Sequence, residues 1–557
     1  MAFPGSPYDA RNGFLFTRSA AGDPRVSAAP REAGTVLPLV RELVGAVDPM
    51  ALYARLTGSG RVPGSFLLES GDFGAGSGER SLLGVSAALH LRADGRVVTV
   101  TARSPNGLAM LPWLAGRLPP GEAIPNGFRV RYPEPPTGPR DEAARGRLAS
   151  PLDALRVITF GPTLLSRPAD ASYLAAGVLS YDLVELFEPL PAGRPEADPT
   201  PHLEFVVPDR LIIVDHARHR TLVVAHAFGG ETGETNYHHA MHAIGDLVRA
   251  VETVGKSEEG RQKRNRGTAD TPTVDLSDQE FGALVTRLKN HIVAGDVFQV
   301  VASRTFSVPC PDPLAAYASL RVANPSPYLF YVRGDDSTIF GASPETAVKV
   351  HGHPRRVTIR PIAGTAARGK TVTGEVDPDL DARREAALRL DAKETAEHMM
   401  LVDLARNDVA RVSRPGTRRV TKLLTVDRYA HVMHLVSEVE GELAPGLDAL
   451  HAYAAAMNMG TLVGAPKVRA AQLLRELEPS RRGAYGGAVG YLTHGGEMDT
   501  AIVIRAAVVR HDRAEVRAGA GIVHDSTPEG EAAETRRKAE SVLRAIAGSQ
   551  GVRESGS

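Results

Sequence analysis

The stretch DAKETAEHMMLVDLARND, residues 391–408, joins a pair of carboxylates to an apolar run. Glu394 and Glu397 are three residues apart, so they share one face of a helix, with His398 beside them. The apolar run at 399–402 predicts that this helix packs into the body of the protein. An unpaired carboxylate there would be costly, and a bound cation would offset that cost. An isolated E-x-x-E pattern is more often a solvated helix face.

A second copy of the pattern stands near the C-terminus, in STPEGEAAETRRKAESVLRAI. Ser526 and Glu529 have the spacing of a capping box, which predicts a helix start. Glu531, Glu534 and Lys538 then fall on one helix face. Two such helices could hold Mg²⁺ by one glutamate apiece and leave its other positions to water and an anionic substrate.

The composition favours an enzyme with a small-molecule substrate. The chain has 557 residues, 43% of them hydrophobic, which is enough for two domains or one large interleaved unit. The 65 basic and 65 acidic residues cancel, so nothing indicates nucleic acid or an anionic membrane as a partner. Cys310 is the only cysteine, which excludes an intrachain disulfide. No signal peptide or apolar span is recognisable, and we expect a cytoplasmic protein.

A series of motifs resembles component I of anthranilate synthase, a chorismate-utilising enzyme. They follow the family order over about residues 280–546, and LLES (67–70) and SYDLVELFE (180–188) extend the resemblance towards the N-terminus. The C-terminal motifs are GDVFQVVASRTF, NPSPYLFYV, GASPE, PIAGT, LVDLARNDVARV, DRYAHVMHLVSEVEGEL, NMGTLVGAPKVRAAQLL, RRGAYGGAVGY, DTAIVIRAA and AGAGIV. The resemblance implies an α+β fold of layered antiparallel sheets with flanking helices.

The composition and the resemblance together divide the chain into segments. The run VLPLVRELVGAV, near the start of the N-terminal domain, has Leu39, Leu43 and Val44 on one stripe and predicts a short helix. The expected segments are a flexible extension (1–32), an N-terminal domain that contributes a tryptophan regulatory site (33–253), a charged linker (254–274), a chorismate-binding catalytic domain (275–546) and a C-terminal tail (547–557).

Two positions distinguish the reactions of the family. Isochorismate and salicylate synthases have a lysine at the position of Gln299, where it activates water, whereas ammonia-using members have glutamine. Aminodeoxychorismate synthases of the best-known type have a nucleophilic lysine at the position of Ala363. Ammonia is already a nucleophile and needs no such base, so the resemblance favours direct amination of chorismate.

The remaining catalytic residues also follow from the resemblance. Glu345 in GASPE would be the general acid that protonates the departing ring hydroxyl, a role that suits a carboxyl with a raised pKa. His434 would contact the reacting ring, although a lone histidine on an apolar stretch is more often a core residue. Thr365 in PIAGT completes this catalytic set.

Ligand positions complete the expected site. Mg²⁺ would be bound by Glu397 and Glu534, with Glu394 and Glu531 behind them through water. Arginine can bind a carboxylate bidentately, and glycines let backbone amides approach an anion. The expected substrate contacts are Thr461, Tyr485, Arg505, Gly519, Ala520, Gly521 and Lys538.

A separate regulatory site for tryptophan is implied by the LLES and NPSPY motifs. Leu329 stands where many relatives have methionine. The expected members of this site are Glu69, Ser70, Asn324, Pro325, Ser326, Pro327, Tyr328, Leu329, Phe330 and Gly341.

The resemblance thus predicts component I of an anthranilate synthase. Chorismate and ammonia would give aminodeoxyisochorismate and then anthranilate and pyruvate, the first committed step of tryptophan biosynthesis. A partner glutaminase, component II, would supply the ammonia, because Cys310 between two prolines lacks a glutaminase setting. Two alternatives are a 2-amino-2-deoxyisochorismate synthase of a secondary-metabolite pathway and an inactive tryptophan-binding subunit. Retention of the acid and ligand positions argues against the second.

Overall fold

The structure is a computed structural model that describes residues 29–70, 80–135, 148–166, 172–191, 200–255, 271–429 and 432–549. Most of the expected N-terminal extension, residues 256–270 of the expected linker and residues 550–557 of the expected tail lie outside these described ranges. No helix within them is long and apolar enough to cross a membrane.

The strands are mostly antiparallel and are spread over the whole described chain. They are β1 (Thr35–Val44), β2 (Ser65–Glu69), β3 (Arg80–Asp94), β4 (Val97–Ala102), β5 (Gly121–Ile124), β6 (Gly127–Arg131), β7 (Thr163–Leu164), β8 (Leu174–Leu179), β9 (Leu203–Asp215), β10 (Arg220–Phe228), β11 (Thr273–Val274), β12 (Gln299–Pro309), β13 (Tyr328–Arg333), β14 (Thr338–Ser343), β15 (Thr346–His351), β16 (Arg356–Ile359), β17 (Ile362–Ala367), β18 (Arg419–Arg428), β19 (Val432–Glu442), β20 (Gly464–Ala465), β21 (Ala488–Thr493), β22 (Met498–Ile502), β23 (Ala506–Arg510) and β24 (Arg513–Ile522).

The helices flank these strands. They are α1 (Pro49–Leu56), α2 (Pro105–Leu108), α3 (Leu111–Ala115), α4 (Pro151–Phe160), α5 (Gly233–Val254), α6 (Asp278–Val293), α7 (Pro313–Ala323), α8 (Pro378–Leu390), α9 (Ala392–Ala410), α10 (Ala449–Ala456), α11 (Gly460–Val463), α12 (Lys467–Leu477) and α13 (Pro528–Ser549), with a 3₁₀ helix at Tyr181–Leu186.

Strand pairing forms two arms that leave a common N-terminal sheet of β1, β10, β9 and β3. The first arm continues from β3 through β2, β13, β14, β23 and β24 to β12. The second arm continues from β9 through β8, β21, β22, β15 and β16 to β19, which also pairs with β17 and β18. Both halves of the chain therefore contribute to one hydrogen-bonded network.

The helix predicted over VLPLVRELVGAV is wrong, because most of this run forms strand β1. β1 pairs antiparallel with β10 over nine residue pairs, from Val36 with Phe228 to Val44 with Arg220. Residues 35–39 are buried without interruption, which suits a strand covered on both faces. Tertiary pairing outweighs a local apolar stripe because each residue in the ladder gains a backbone hydrogen bond and side-chain packing.

The two predicted glutamate helices are present as α9 and α13. Asp391 caps α9 by accepting hydrogen bonds from the amides of Lys393 and Glu394, at 2.9 and 3.0 Å. This cap satisfies amides that a helix start otherwise leaves unpaired. The helix then packs on β17 and β19.

The capping box predicted for α13 is wrong in its residues. The hydroxyl of Thr527, and not that of Ser526, accepts from the amide of Gly530 at 3.2 Å. Ser526 instead accepts from the amide of Val523 at 3.0 Å and closes the turn before the helix. Two adjacent hydroxyl residues can both cap, and the turn geometry selects the second.

A buried arginine fixes α13 to the first arm. Arg304 on β12 is fully buried, and its guanidinium donates to Thr535 Oγ1 and the carbonyl of Ala532, both at 2.9 Å. The rings of Phe281 and Phe306 lie about 5 Å from it on either flank. This contact holds the Glu531–Glu534 turn of α13 at a defined height beside the sheet.

Candidate active site

Two residues of the expected site, Glu345 and Arg505, lie where the chain crosses between the two arms. Glu345 lies in the crossing from β14 of the first arm to β15 of the second. Arg505 lies in the return crossing from β22 to β23, with φ of 50°, a left-handed value that is uncommon for arginine. Its carbonyl accepts from the amide of Ala342 at 3.1 Å, which ties the two crossings together.

Glu345 is buried and carries a strongly perturbed carboxyl. Thr461 Oγ1, at the start of α11, donates to its Oε1 at 2.9 Å. Burial raises the pKa of Glu345 to about 8, and this hydrogen bond and the charge of Lys538 oppose the rise. The carboxyl is therefore protonated at neutral pH and can donate a proton.

His434 and Thr365 are opposite each other on paired strands β19 and β17. Thr365 Oγ1 and His434 Nδ1 are 2.9 Å apart. Burial lowers the pKa of His434 to about 4, and the positive charge of Arg505 contributes to the decrease. The imidazole is thus neutral near pH 7, with one ring nitrogen oriented by the threonine.

The expected carboxylate-binding residues surround strand β24. Lys538 Nζ donates to the carbonyl of Gly519 at 3.0 Å and lies 2.6 Å from Glu534 Oε1. Arg505 is 3.4 Å from the carbonyl of Lys538. Tyr485 is buried, and a Cβ added at Gly519 would lie 2.7 Å from its hydroxyl. Only glycine leaves room for this close approach.

Ala520 and Gly521 follow on the same strand and lead to Gln299. Ala520 pairs with Ala302 on β12 and is buried. A Cβ at Gly521 would lie 2.8 Å from Gln299 Nε2. Gln299 is 93% buried, and its Oε1 has no hydrogen-bond partner within the described chain. A buried acceptor left unpaired is costly and points to a ligand with an N–H or O–H group.

The glutamates of α9 and α13 affect one another electrostatically. Burial raises the pKa values of Glu394, Glu397 and Glu531, and neighbouring carboxylates, Glu534 among them, raise each of them further. Glu531 Oε2 is buried and has no hydrogen-bond partner in the part of the chain that the structure describes. The arrangement concentrates negative charge in a place where a cation would remove both costs.

This donor set suits Mg²⁺, which prefers oxygen ligands and binds through one or two carboxylates. Two lysines at present neutralise part of the charge, since Lys393 Nζ lies 3.9 Å from Glu397 and Lys538 pairs with Glu534. Within the described ranges, no group of three or more acidic, histidine or cysteine side chains is gathered closely enough to hold a metal ion.

The expected regulatory residues border a cavity between the two arms. It lies between β2 and β13 of the first arm and β15, β21 and β22 of the second arm. Its volume is about 300 Å³, and Glu69, Ser70 and residues 327–330 line it. The pairing of Glu69 with Leu329 brings the two predicted motifs together. Ser70 Oγ is buried without a hydrogen-bond partner among the described residues.

The other expected regulatory residues support this wall. Asn324, Pro325 and Ser326 form the connection between α7 and β13. Gly341 lies behind Phe330, where a Cβ would come within 2.5 Å of the ring. Two hydrogen bonds also fix the Glu69 carboxylate. Tyr317 Oη donates to it at 2.5 Å, and the Arg321 guanidinium donates to it at 3.0 Å.

Sequence reasoning missed the opposite wall of this cavity. Lys349, Tyr491 and Asp499 lie there. Lys349 Nζ is 2.9 Å from Asp499, and Tyr328 Oη donates to the same carboxylate at 2.9 Å. Lys349 on β15 is more than 100 positions away from Tyr491 and Asp499 on β21 and β22, and no local motif signals that they meet.

A family model described as chorismate binding enzyme matches residues 139–544. The chain belongs to this family of chorismate-binding enzymes, and the expected family and α+β fold are confirmed. It is 46% identical over 509 residues to anthranilate synthase component 1 of Vibrio cholerae serotype O1, which covers 91% of this chain and 95% of the relative.

Two further similar proteins are also components of anthranilate synthases by name. The pyocyanine-specific anthranilate synthase component 1 of Pseudomonas aeruginosa is 46% identical over 502 residues, which are 89% of this chain and 92% of the relative. The crystal structure of anthranilate synthase component I from Streptococcus pneumoniae TIGR4 matches with a TM-score of 0.65 and 31% identity, and the match covers 84% of this chain and 92% of that chain.

The raised pKa of Glu345 predicts a stability effect. The carboxyl has an ordinary pKa of 4.5 in the unfolded chain and about 8 in the folded one. Between these values the folded state binds more protons, so the free energy of unfolding decreases as pH rises. Glu345→Gln keeps an acceptor for Thr461 but does not ionise. We expect it to be more stable than the wild type by on the order of 3 kcal/mol at pH 8 and nearly equal to it at pH 5.

Urea denaturation of both proteins at pH 5 and pH 8 measures this difference. Glu375→Gln, a change at an exposed glutamate, is the control and should behave as the wild type at both pH values. A constant difference between Glu345→Gln and the wild type across this range would contradict a protonated, buried carboxyl.

Proposed function

We propose that this chain is the chorismate-converting component of an anthranilate synthase. The observation that carries the proposal is that Glu345 is a buried acid with a raised pKa, bound by Thr461, and that Gln299 Oε1 is buried with no hydrogen-bond partner among the described residues. Chorismate and ammonia give aminodeoxyisochorismate and water, and loss of pyruvate from this intermediate gives anthranilate. The names of the similar proteins support the same reaction.

Gln299 and Glu345 have different roles in the amination step. Gln299 Oε1 accepts a hydrogen bond from ammonia and aims its lone pair at the ring, which needs no general base. Glu345 gives its proton to the departing hydroxyl, so that water leaves and not hydroxide. Thr461 fixes the carboxyl in the orientation for this transfer. The neutral imidazole of His434 lies against the ring and is oriented by Thr365.

The substrate's two carboxylates set the remaining requirements. Arg505 and Lys538 supply positive charge, and Tyr485 supplies a hydroxyl. The backbone of β24 at 519–521 supplies amides in a segment without bulky side chains. These groups hold the ring between Glu345 and Gln299 and exclude water from the reacting carbon.

Magnesium completes the substrate site in this proposal. Glu397 and Glu534 would hold the ion, with Glu394 and Glu531 behind them, and the bound ion would neutralise a substrate carboxylate. Lys393 and Lys538 would then be released from their present partners, and Lys538 would become available to the substrate.

We further propose that tryptophan regulates this chain and that a partner protein supplies its ammonia. The cavity beside Ser70 and Tyr328 binds tryptophan, which inhibits by favouring a less active conformation. A glutaminase, component II, supplies ammonia, as the name component 1 of the relatives implies. Cys310 cannot replace it, because burial raises the pKa of its thiol to about 12.

Product analysis tests the proposed reaction. The purified chain is incubated with chorismate, Mg²⁺ and an ammonium salt, and the products are separated and identified. Fluorescent anthranilate with an equal amount of pyruvate is expected. Accumulation of aminodeoxyisochorismate would assign the chain to the alternative that stops before elimination, and absence of turnover would contradict both.

The metal assignment predicts a loss of activity in two variants. Glu397→Gln and Glu534→Gln each remove one negative charge that holds Mg²⁺, so turnover at limiting Mg²⁺ should fall at least about 100-fold. Initial rates over a range of Mg²⁺ concentrations measure this. Glu540→Gln, at an exposed position of α13, the helix that also carries Glu534, is the matched control and should leave the rate unchanged. Wild-type activity in either site variant would show that the metal lies elsewhere.

The partner assignment predicts that the isolated chain uses ammonium but not glutamine. A paired assay with the two nitrogen sources measures this directly. Cys310→Ala should not change the ammonium-dependent rate, since the thiol is buried in a hydrophobic cluster that contains none of the proposed catalytic or chorismate-binding residues. Glutamine-dependent turnover that survives Cys310→Ala would reveal an amide-cleaving site within this chain.

A further inference from the structure

The regulatory cavity and the catalytic acid are neighbours along one strand. β15 begins at Thr346, directly after Glu345, and its residues 349–351 line the cavity. On the opposite wall, Tyr328 Oη lies 3.0 Å from Thr346 Oγ1 and 2.9 Å from Asp499 Oδ1. One tyrosine of the cavity therefore contacts the residue that follows the catalytic acid.

The direction of these hydrogen bonds can be assigned. Tyr328 has one hydroxyl proton, and the Asp499 carboxylate can only accept, so that proton goes to Asp499. The Thr346 hydroxyl must then donate to Tyr328 Oη. Lys349 completes the series with its ion pair to Asp499 at 2.9 Å. The series runs across the gap between the two arms and joins their facing strands.

Tyr328 is also tied to the strand that precedes Glu345. It pairs with Ser343 at the end of β14. The amide of Glu345 donates to Ser343 Oγ at 3.3 Å, and the amide of Ile502, on the strand that carries Asp499, donates to the Glu345 carbonyl at 3.0 Å. The backbone of the acid is thus held by the same strands that form the cavity walls.

A local irregularity in its pairing makes the start of β15 able to move when a ligand binds in the cavity. The pairing of β15 with β22 shifts register between Thr346 and Lys349. Thr500 Oγ1 fills the gap by accepting from the amide of Val348 at 3.2 Å and donating to its carbonyl at 2.7 Å. A bulge interrupts the ladder, so its two flanks are less firmly tied than in a regular pair of strands.

We propose that Thr346 is the positioning residue through which a ligand in the regulatory cavity acts on Glu345. A ligand that displaces Tyr328 from Thr346 moves the start of β15 and, with it, the acid relative to Thr461. The inference rests on the proposed tryptophan site. Tryptophan can therefore weaken chorismate binding or turnover only as far as the Tyr328–Thr346 contact differs between the tryptophan-bound and the tryptophan-free conformation.

Thr346→Val tests the inference, because it removes the hydroxyl and keeps the branched shape. Tryptophan binding to the free chain is measured by calorimetry, and chorismate KM and kcat are measured with ammonium at zero and saturating tryptophan. We expect the Kd for tryptophan to change less than about twofold, while the change in kcat/KM caused by tryptophan shrinks about fivefold or more. Because the variant lacks the same contact, its activity without tryptophan should fall towards that of the tryptophan-saturated wild type.

Thr346→Ser retains the hydroxyl and is the matched control, which should be inhibited as the wild type is. Thr346→Ala also removes the hydroxyl and replaces Thr346→Val if that variant does not fold, as judged by its Tm. Unchanged inhibition in Thr346→Val, or loss of tryptophan binding in it, would overturn the positioning role. A wild-type chain that does not bind tryptophan would instead contradict the regulatory site itself.

Discussion

Repulsion among four carboxylates is the constraint around which the catalytic half is built. Glu394 and Glu397 on α9 face Glu531 and Glu534 on α13, and burial together with like charge raises the pKa values of the first three. Like charge opposes the approach of the two helices, and contacts elsewhere on each helix hold it in place. Arg304 fixes α13 through buried hydrogen bonds. For α9, the buried ion pair of Asp408 with Lys467, at 2.5 Å, fixes the C-terminal end.

The antiparallel network then determines which residues can meet these helices. The chain crosses between the arms at Glu345 and again at Arg505, and the two crossings are joined by the hydrogen bond from Ala342. Crossings of this kind leave the regular ladder, so their side chains can point into the space between the arms. The left-handed φ of Arg505 is a strain that the surrounding strands impose. The proposed acid and the proposed carboxylate-binding arginine therefore share one geometric origin, the crossings between the arms.

The sequence predicted local features well and distant contacts only through motifs. The carboxylate spacing located α9 and α13, because i, i+3 and i+4 patterns report a helix face directly. The VLPLVRELVGAV stripe failed because its partner, β10, lies almost 200 residues away. The choice between Ser526 and Thr527 as cap depended on turn geometry that neither residue encodes alone. Likewise, Lys349 and Asp499 have no sequence signal, since only the β15–β22 pairing brings them together.

Burial of Glu345 lowers the stability of the folded state in a way that its proposed role as general acid would explain. A carboxyl with a pKa of about 8 makes the folded state less stable at neutral pH than a neutral isostere would, since its proton must be retained from solvent. Lys538 could lower that pKa further, but it is held by Glu534 and the Gly519 carbonyl. If Glu534 bound Mg²⁺, as we propose, Lys538 would be free to bind the substrate's negative charge, and the Glu345 carboxyl would keep its proton for the ring hydroxyl. In the proposed site, α13 would thus help to keep Glu345 protonated, because Glu534 on this helix would determine which group Lys538 binds.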